Sequence, residues 1–190
     1  MKITPVDHDI DLLGPSVGRS SGLHVSDLYN SLYQHLDPKR YKSDGGGDPL
    51  RMSMGVAWER YMEERLLASG FDAVRPPEFT AIEQGQPVHF SPDLIVQNGH
   101  ARGGEIKLTY MYETDYFDDP KFAKYHTQAM DYGHHLGINR WLFYVLYVNG
   151  RGRKPLSPSL RAYDVEYTAR EMREEWQMSC NHGRKVGLLR

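Results

Sequence analysis

The sequence predicts a mixed α/β or α+β fold, a central mixed β-sheet flanked by helices. Three observations predict it. Apolar residues recur at helical spacing in four stretches, and they alternate or run unbroken in five others. The two kinds interleave in the order helix, helix, three strands, helix, two strands, helix, which favours helices on both faces of a sheet. The composition is ordinary for a globular chain: 190 residues, 39% apolar and 25% charged, enough for one core.

Residues 1–190 read as a single domain, opened by an extended arm over 1–22 that is rich in Gly, Pro, Ser and Asp. Ser26 is a candidate cap for a first helix reaching Leu36, with Leu28, Leu32, Tyr33 and Leu36 on one face. Gly45-Gly46-Gly47 and two prolines mark 37–53 as a loop. A second helix follows over 54–68 and stops near Gly70. Residues 79–83, 88–96 and 104–110 read as successive strands, joined by turn chemistry at Gly85-Gln86-Pro87 and Asn98-Gly99-His100. An acidic loop over 112–120 leads to a third helix, 121–136, whose face of Phe122, His126, Ala129, Met130, Gly133 and Leu136 has helical spacing. Strands over 140–148 and 161–167 and a helix over 168–179 complete the order.

Composition narrows the function. The net charge of −2 argues against a protein that coats nucleic acid unselectively, though not against an enzyme acting on it. A single cysteine, Cys180, excludes an internal disulfide framework and a four-cysteine iron–sulfur site. The longest apolar run, 141–148, is too short to span a bilayer, so no membrane partner is expected. The first residues carry no apolar signal core, and a cytoplasmic location is expected, the host cytoplasm if the chain is phage-encoded.

The chemistry gathers in the middle of the chain. Asp93 and Glu105 lie in or beside apolar strands, and Lys107 follows Glu105 by two, hence on the same strand face. Hard divalent cations take oxygen ligands, and Mg²⁺ commonly uses only one or two carboxylates. Two such acids are expected to hold one or two Mg²⁺ or Mn²⁺ ions, and Lys107 to reach the water that the ion activates. Pro92 should bend its strand and aim Asp93 outward, while Gly103-Gly104 should let a ligand approach the backbone. On the second helix Glu59 lies four residues after Gly55, where a missing side chain would permit a close crossing, and Glu63 lies one turn further on. Lys124, Gln128 and Tyr132 fall at i, i+4 and i+8 and form one polar stripe on the third helix.

Gly55-x-x-x-Glu59, Pro92-Asp93, Glu105-x-Lys107 and Gln128-x-x-x-Tyr132, in that order, resemble the PD-(D/E)XK nuclease superfamily, in its lambda exonuclease and RecB-type branch. The resemblance implies a restriction-endonuclease-like core and metal-dependent cleavage of DNA. It implies catalytic roles for Glu59, Asp93, Glu105, Lys107, Gln128 and Tyr132, with the metal on Asp93, Glu105, the backbone carbonyl of Ile106 and Glu59. The expected activity is an exonuclease of recombination, repair or phage DNA processing. Two alternatives stay open: an endonuclease on the same core, and a non-catalytic DNA- or protein-binding module. DNA is the expected partner, together with a homo-oligomer or a recombination or repair protein.

Weaker features complete the reading. Arg151, Arg153 and Lys154, with Lys124, are candidate DNA contacts, since phosphate contacts carry affinity. Lys39, Arg40 and Lys42 form a second basic group. His126, His134 and His135 lack a cysteine and share no single face, so a zinc site is not expected. The acidic loop around Glu113, Asp115, Asp118 and Asp119 has no evident role.

Overall fold

Proline decides the architecture at residues 91–93. Proline gives a ladder no N–H and is confined to strand edges, ends and bends. The run 88–96, expected as one bent strand, is therefore two strands in two different sheets, one ending at Phe90 and the next starting at Leu94. The structure is a computed structural model. It describes residues 20–41, 48–97, 100–113, 117–151 and 157–190. The expectations placed on 1–19, Lys42, Gly45–Gly47, Asn98-Gly99, Asp115, Arg153 and Lys154 lie outside these residues.

The elements are β1 (Leu23–His24), α1 (Val25–Leu36), α2 (Pro49–Ala68), β2 (Ala73–Val74), β3 (Phe79–Glu83), β4 (Gln86–Phe90), β5 (Leu94–Val96), β6 (Arg102–Thr109), a 3-10 turn (Pro120–Phe122), α3 (Ala123–Leu136), β7 (Arg140–Tyr147), β8 (Ser159–Glu166) and α4 (Ala169–Lys185). The main sheet has the order β2-β5-β6-β7-β8, and the smaller one β1-β4-β3. In the main sheet β6 and β7 are parallel and the other neighbours antiparallel. A parallel pair needs a long crossover, and α3 supplies it.

Local chemistry sets the ends. Asp48 accepts from the Leu50 N–H at 3.0 Å with Pro49 at the first helical position, so α2 begins earlier than the apolar pattern indicates. His24 rather than Ser26 precedes the first turn of α1, and its N–H donates to Asp27 at 2.9 Å. Thr168 and Glu171 close a capping box on α4, which continues past Ser179 because Cys180, His182 and Gly183 are buried. Gln84 and Gly85 both have positive φ, the two-residue turn that suits a twisted hairpin, so Gln86 and Pro87 belong to β4 and not to the turn.

Strand alternation divides the core. Trp141, Phe143, Val145 and Tyr147 face the layer of α1, α3 and α4, joined there by Phe90, Phe122, Tyr132 and Trp176. Ile106, Leu94 and Tyr144 face α2 through Met62 and Leu66. The glycines expected to admit a ligand serve packing instead. A Cβ on Gly103 would lie 2.3 Å from the Trp141 ring, and one on Gly104 3.0 Å from Leu94 Cβ. Gly55 has open space around it, so no close crossing explains it. No helix among the described residues is long and apolar enough to cross a membrane.

Candidate active site

The break at Pro92 places Asp93 immediately before β5, and β5 pairs with β6 only from Leu94 opposite Gly104. Past that register the β5-side edge of β6 meets the Asp93 side chain, and the Ile106 N–H donates to Asp93 Oδ2 at 2.9 Å. The N–H and C=O of one strand residue point to the same side. The Ile106 carbonyl therefore lies on the same edge of β6 as its N–H, the edge that Asp93 meets.

Glu105 and Lys107 project from β6 onto the face covered by α1 and α3. Glu105 is wholly inaccessible to solvent, while Asp93 and Lys107 side chains are each 14% exposed. The Lys107 ammonium lies 2.5 Å from Glu105 Oε2 and 3.5 Å from Asp93 Oδ2, bridging the two acids. The other Glu105 oxygen, Oε1, is buried without a hydrogen-bond partner among the described residues. Burial pushes the Glu105 carboxyl up to about 8, helped by the negative charges of Asp93 and Glu59 and opposed by Lys107. Burial would lower Lys107, but Asp93 and Glu105 outweigh it and hold the ammonium well above its usual value.

This donor set fits a hard divalent cation. Two carboxylates and a backbone carbonyl are oxygen ligands of the kind Mg²⁺ and Mn²⁺ prefer, and an orphaned buried carboxylate oxygen lacks the partner that a cation would be. The bridging ammonium shows that the pair already attracts positive charge. Glu59 raises the Glu105 carboxyl from α2 but does not complete a cluster: among the described residues no three His, Cys, Asp or Glu side chains converge to hold a metal.

The third helix contributes differently from a solvated stripe. Tyr132 is only 4% exposed, a correction to its expected place on a polar face. Its hydroxyl donates to the Ser91 carbonyl at 3.2 Å and accepts from Gln128 Nε2 at 3.3 Å. Gln128 therefore reaches the residues before Asp93 through Tyr132. Burial raises the Tyr132 phenol well above its ordinary value, so it stays a neutral donor. Lys124 is half-buried, with Nζ 5.7 Å from the centre of the Tyr29 ring. Burial and the nearby Lys107 charge lower it.

Of the expected basic loop, only Arg151 is described, and its Nε donates to Glu113 at 3.0 Å. Glu113 also accepts from Arg161 Nε at 2.8 Å and from the Ser159 hydroxyl. These partners hold its carboxyl down to about 2, Ser159 contributing most. The acidic residue without an evident role thus ties the end of β6 to the β7–β8 connection. His126 Nδ1 accepts from the Tyr167 hydroxyl at 2.5 Å and its Nε2 donates to the Phe117 carbonyl at 2.9 Å, a structural use.

Residues the sequence did not single out also belong here. Tyr29 of α1 and Tyr125 of α3 flank the lysines, the Lys107 ammonium standing 6.0 Å from the Tyr125 ring. Tyrosines at helical spacing read as packing, so pattern alone gives no signal for them. Just past Lys107, a groove of about 490 Å³ is lined by Arg51, Leu108, Thr109, Tyr110 and Met111, with the Arg51 guanidinium 4.7 Å from the Tyr110 ring centre.

The same fold occurs in solved structures. The chain resembles a protein designated SSO0001 with a TM-score of 0.53 and 13% identity, covering 88% of this chain and 79% of that one. It resembles an alkaline exonuclease, LHK-Exo from Laribacter hongkongensis, with a TM-score of 0.50 and 11% identity, covering 88% of each chain. No family model and no curated protein sequence matches it. At such identities the likeness speaks to the fold alone: this chain has the helix-flanked mixed-sheet architecture that an alkaline exonuclease also has.

Proposed function

We propose that this chain is a metal-dependent DNA nuclease of the PD-(D/E)XK kind, and within that kind an exonuclease. The observation that carries the reading is the meeting of Asp93, Glu105 and Lys107 at one point of β6, with Glu105 Oε1 buried and partnerless among the described residues. The fold shared with an alkaline exonuclease supports a nuclease, and the choice of exonuclease over endonuclease rests on the family resemblance.

In this reading Asp93, Glu105 and the Ile106 carbonyl hold Mg²⁺ or Mn²⁺, with Glu59 acting directly or through water. The ion, when bound, supplies a Lewis acid for the phosphoryl oxygen and a more acidic water. Lys107, held as an ammonium, would orient an attacking water and stabilise developing negative charge. Gln128 and Tyr132 keep the Ser91-Pro92-Asp93 segment in place, and Lys124 neutralises substrate phosphate. The groove with Arg51 and Tyr110 offers a cation and an aromatic face to a nucleic-acid strand. A role in recombination, repair or phage DNA processing, with a homo-oligomer or a repair protein as partner, follows from the family resemblance.

The deciding experiment incubates the chain with linear, circular and nicked DNA, with Mg²⁺ or with a chelator. Shortening of linear DNA with Mg²⁺, sparing of covalently closed circles and loss of activity with chelator are expected. Cleavage of closed circles would favour the endonuclease. Binding without cleavage in any metal would favour the non-catalytic module.

A further inference from the structure

A second polar cluster lies on the small sheet, next to Asp93 but not part of the site described above. Its centre is Glu78, just before β3. The parallel pairing of β1 with β4 sets His24 beside His89, and the β3–β4 hairpin sets Thr80 on the other side of His89. His89 Nδ1 is hydrogen-bonded to the Thr80 hydroxyl at 3.0 Å and lies 3.6 Å from Glu78, and His24 Nδ1 lies 3.9 Å from it, so both rings flank the carboxylate without hydrogen-bonding it. The Ser91 hydroxyl donates to Glu78 Oε2 at 3.1 Å, and the Ser20 hydroxyl also bonds the carboxylate. His24 Nε2 donates to the Ser20 carbonyl at 2.9 Å. Gly22 lets this segment close down, since a Cβ there would lie 2.8 Å from His89 Nε2.

Contacts of a carboxylate with nearby rings at such distances commonly contribute little. Here the Glu78, His24 and His89 side chains are 19%, 12% and 14% exposed, and the anchored residue is Ser91. Ser91 opens the crossing from β4 in the small sheet to β5 in the main one. It is held twice, by Glu78 on its hydroxyl and by Tyr132 on its carbonyl. Two residues later the chain delivers Asp93 to the Ile106 N–H.

We propose that Glu78 is a positioning residue: bonded by Ser20 and enclosed by the His24 and His89 rings, it pins Ser91 at the crossing between the sheets, holds the Asp93 carboxylate on the Ile106 amide, and so sets the cation affinity of the Asp93–Glu105 pair. Only the last step rests on the metal reading. Groups that hold ligands from behind typically change metal affinity by about 10–100-fold when lost.

The test has a metal-free arm and a metal arm. In metal-free protein, amide hydrogen exchange at Ile106 should be about tenfold or more faster in Glu78→Ala, the loss of one charge-assisted hydrogen bond, with the β7 amides unchanged. Mn²⁺ affinity by calorimetry should fall about tenfold. Glu78→Gln should recover most of both effects, because its amide oxygen still accepts from Ser91. Ser91→Ala cuts the same link and serves if Glu78→Ala fails to fold. A folded variant of either kind with wild-type exchange at Ile106 overturns the proposal. If wild-type protein binds no Mn²⁺ while exchange at Ile106 accelerates as stated, the metal reading falls and the clasp on Asp93 stands.

Discussion

The Lys107 ammonium is bonded at 2.5 Å to Glu105, a side chain that solvent does not reach. Taking the lysine away leaves a buried carboxyl without its hydrogen-bond partner, which typically costs about 1–3 kcal/mol. Lys107→Ala should therefore lower the melting temperature of metal-free protein, and Mn²⁺ should restore more of it than in wild type. Metal binding should survive, since a protonated lysine has no lone pair to offer a cation. Cleavage should not survive, and Lys107→Arg should also be poor, because a planar guanidinium does not fit the ammonium position between Glu105 and Asp93. The paired measurement is Mn²⁺ calorimetry and single-turnover cleavage. Retained cleavage would transfer the role to Lys124.

Asp131 gives a pH prediction away from the candidate site. It is wholly buried on α3, with Oδ2 accepting from the Ser179 hydroxyl at 3.3 Å and Oδ1 partnerless among the described residues. Burial, then the charge of Glu175, raises its carboxyl well above the ordinary value. A carboxyl raised on folding contributes its full stability below its unfolded value, near pH 4, and loses it as pH climbs through the folded value. Asp131→Asn should melt like wild type at pH 3. At pH 8 it should be more stable by about 1–3 kcal/mol, the cost of a poorly satisfied buried group. Thermal melts across pH 3–9 check this, and parallel curves for the two proteins would refute it.

Glu113 works in the opposite direction. Its carboxyl is held down to about 2 by Ser159, Arg161 and Arg151, so its contribution is present above the ordinary carboxylate range and is lost as pH falls toward 2. Glu113→Gln should lower stability at pH 7 and flatten the acid side of the stability curve. It should also leave Arg151 and Arg161 more available to phosphate. DNA binding should then tighten, and its salt dependence should steepen by up to about one unit of slope for each further phosphate neutralised. An unchanged slope would confine these arginines to holding the loop.

Gly103→Ala tests the packing that carries the site. The new Cβ would meet the Trp141 ring at 2.3 Å, inside a wholly buried contact on the strand that bears Glu105. Overpacking of this kind costs about 1–3 kcal/mol or more. A drop in denaturation midpoint together with weaker Mn²⁺ binding is expected, and Gly55→Ala, in open space, should show neither.

The candidate site was legible in part. Asp93, Glu105 and Lys107 share a short stretch of sequence, and strand alternation alone puts the last two on one face. Gln128 and Tyr132 were legible as neighbours on a helix, but not the burial of Tyr132, which depends on Ser91 and Phe90 arriving from another sheet. Glu78 carried no signal, because His24, His89 and Ser20 reach it only through the pairing of β1, β4 and β3.

The sequence by itself determined the fold class, the order of its long helices and strands, the acids and the lysine, because periodicity, caps and turn residues act within a few positions of the chain. Tertiary structure decided the rest. It split 88–96 between two sheets, gave Gly103 to Trp141, set Glu113 against Arg151 and Arg161, and turned Asp93 onto the Ile106 amide. Each of these depends on which strand pairs with which and in what register, and that is fixed by burial of whole faces against distant partners rather than by any local pattern.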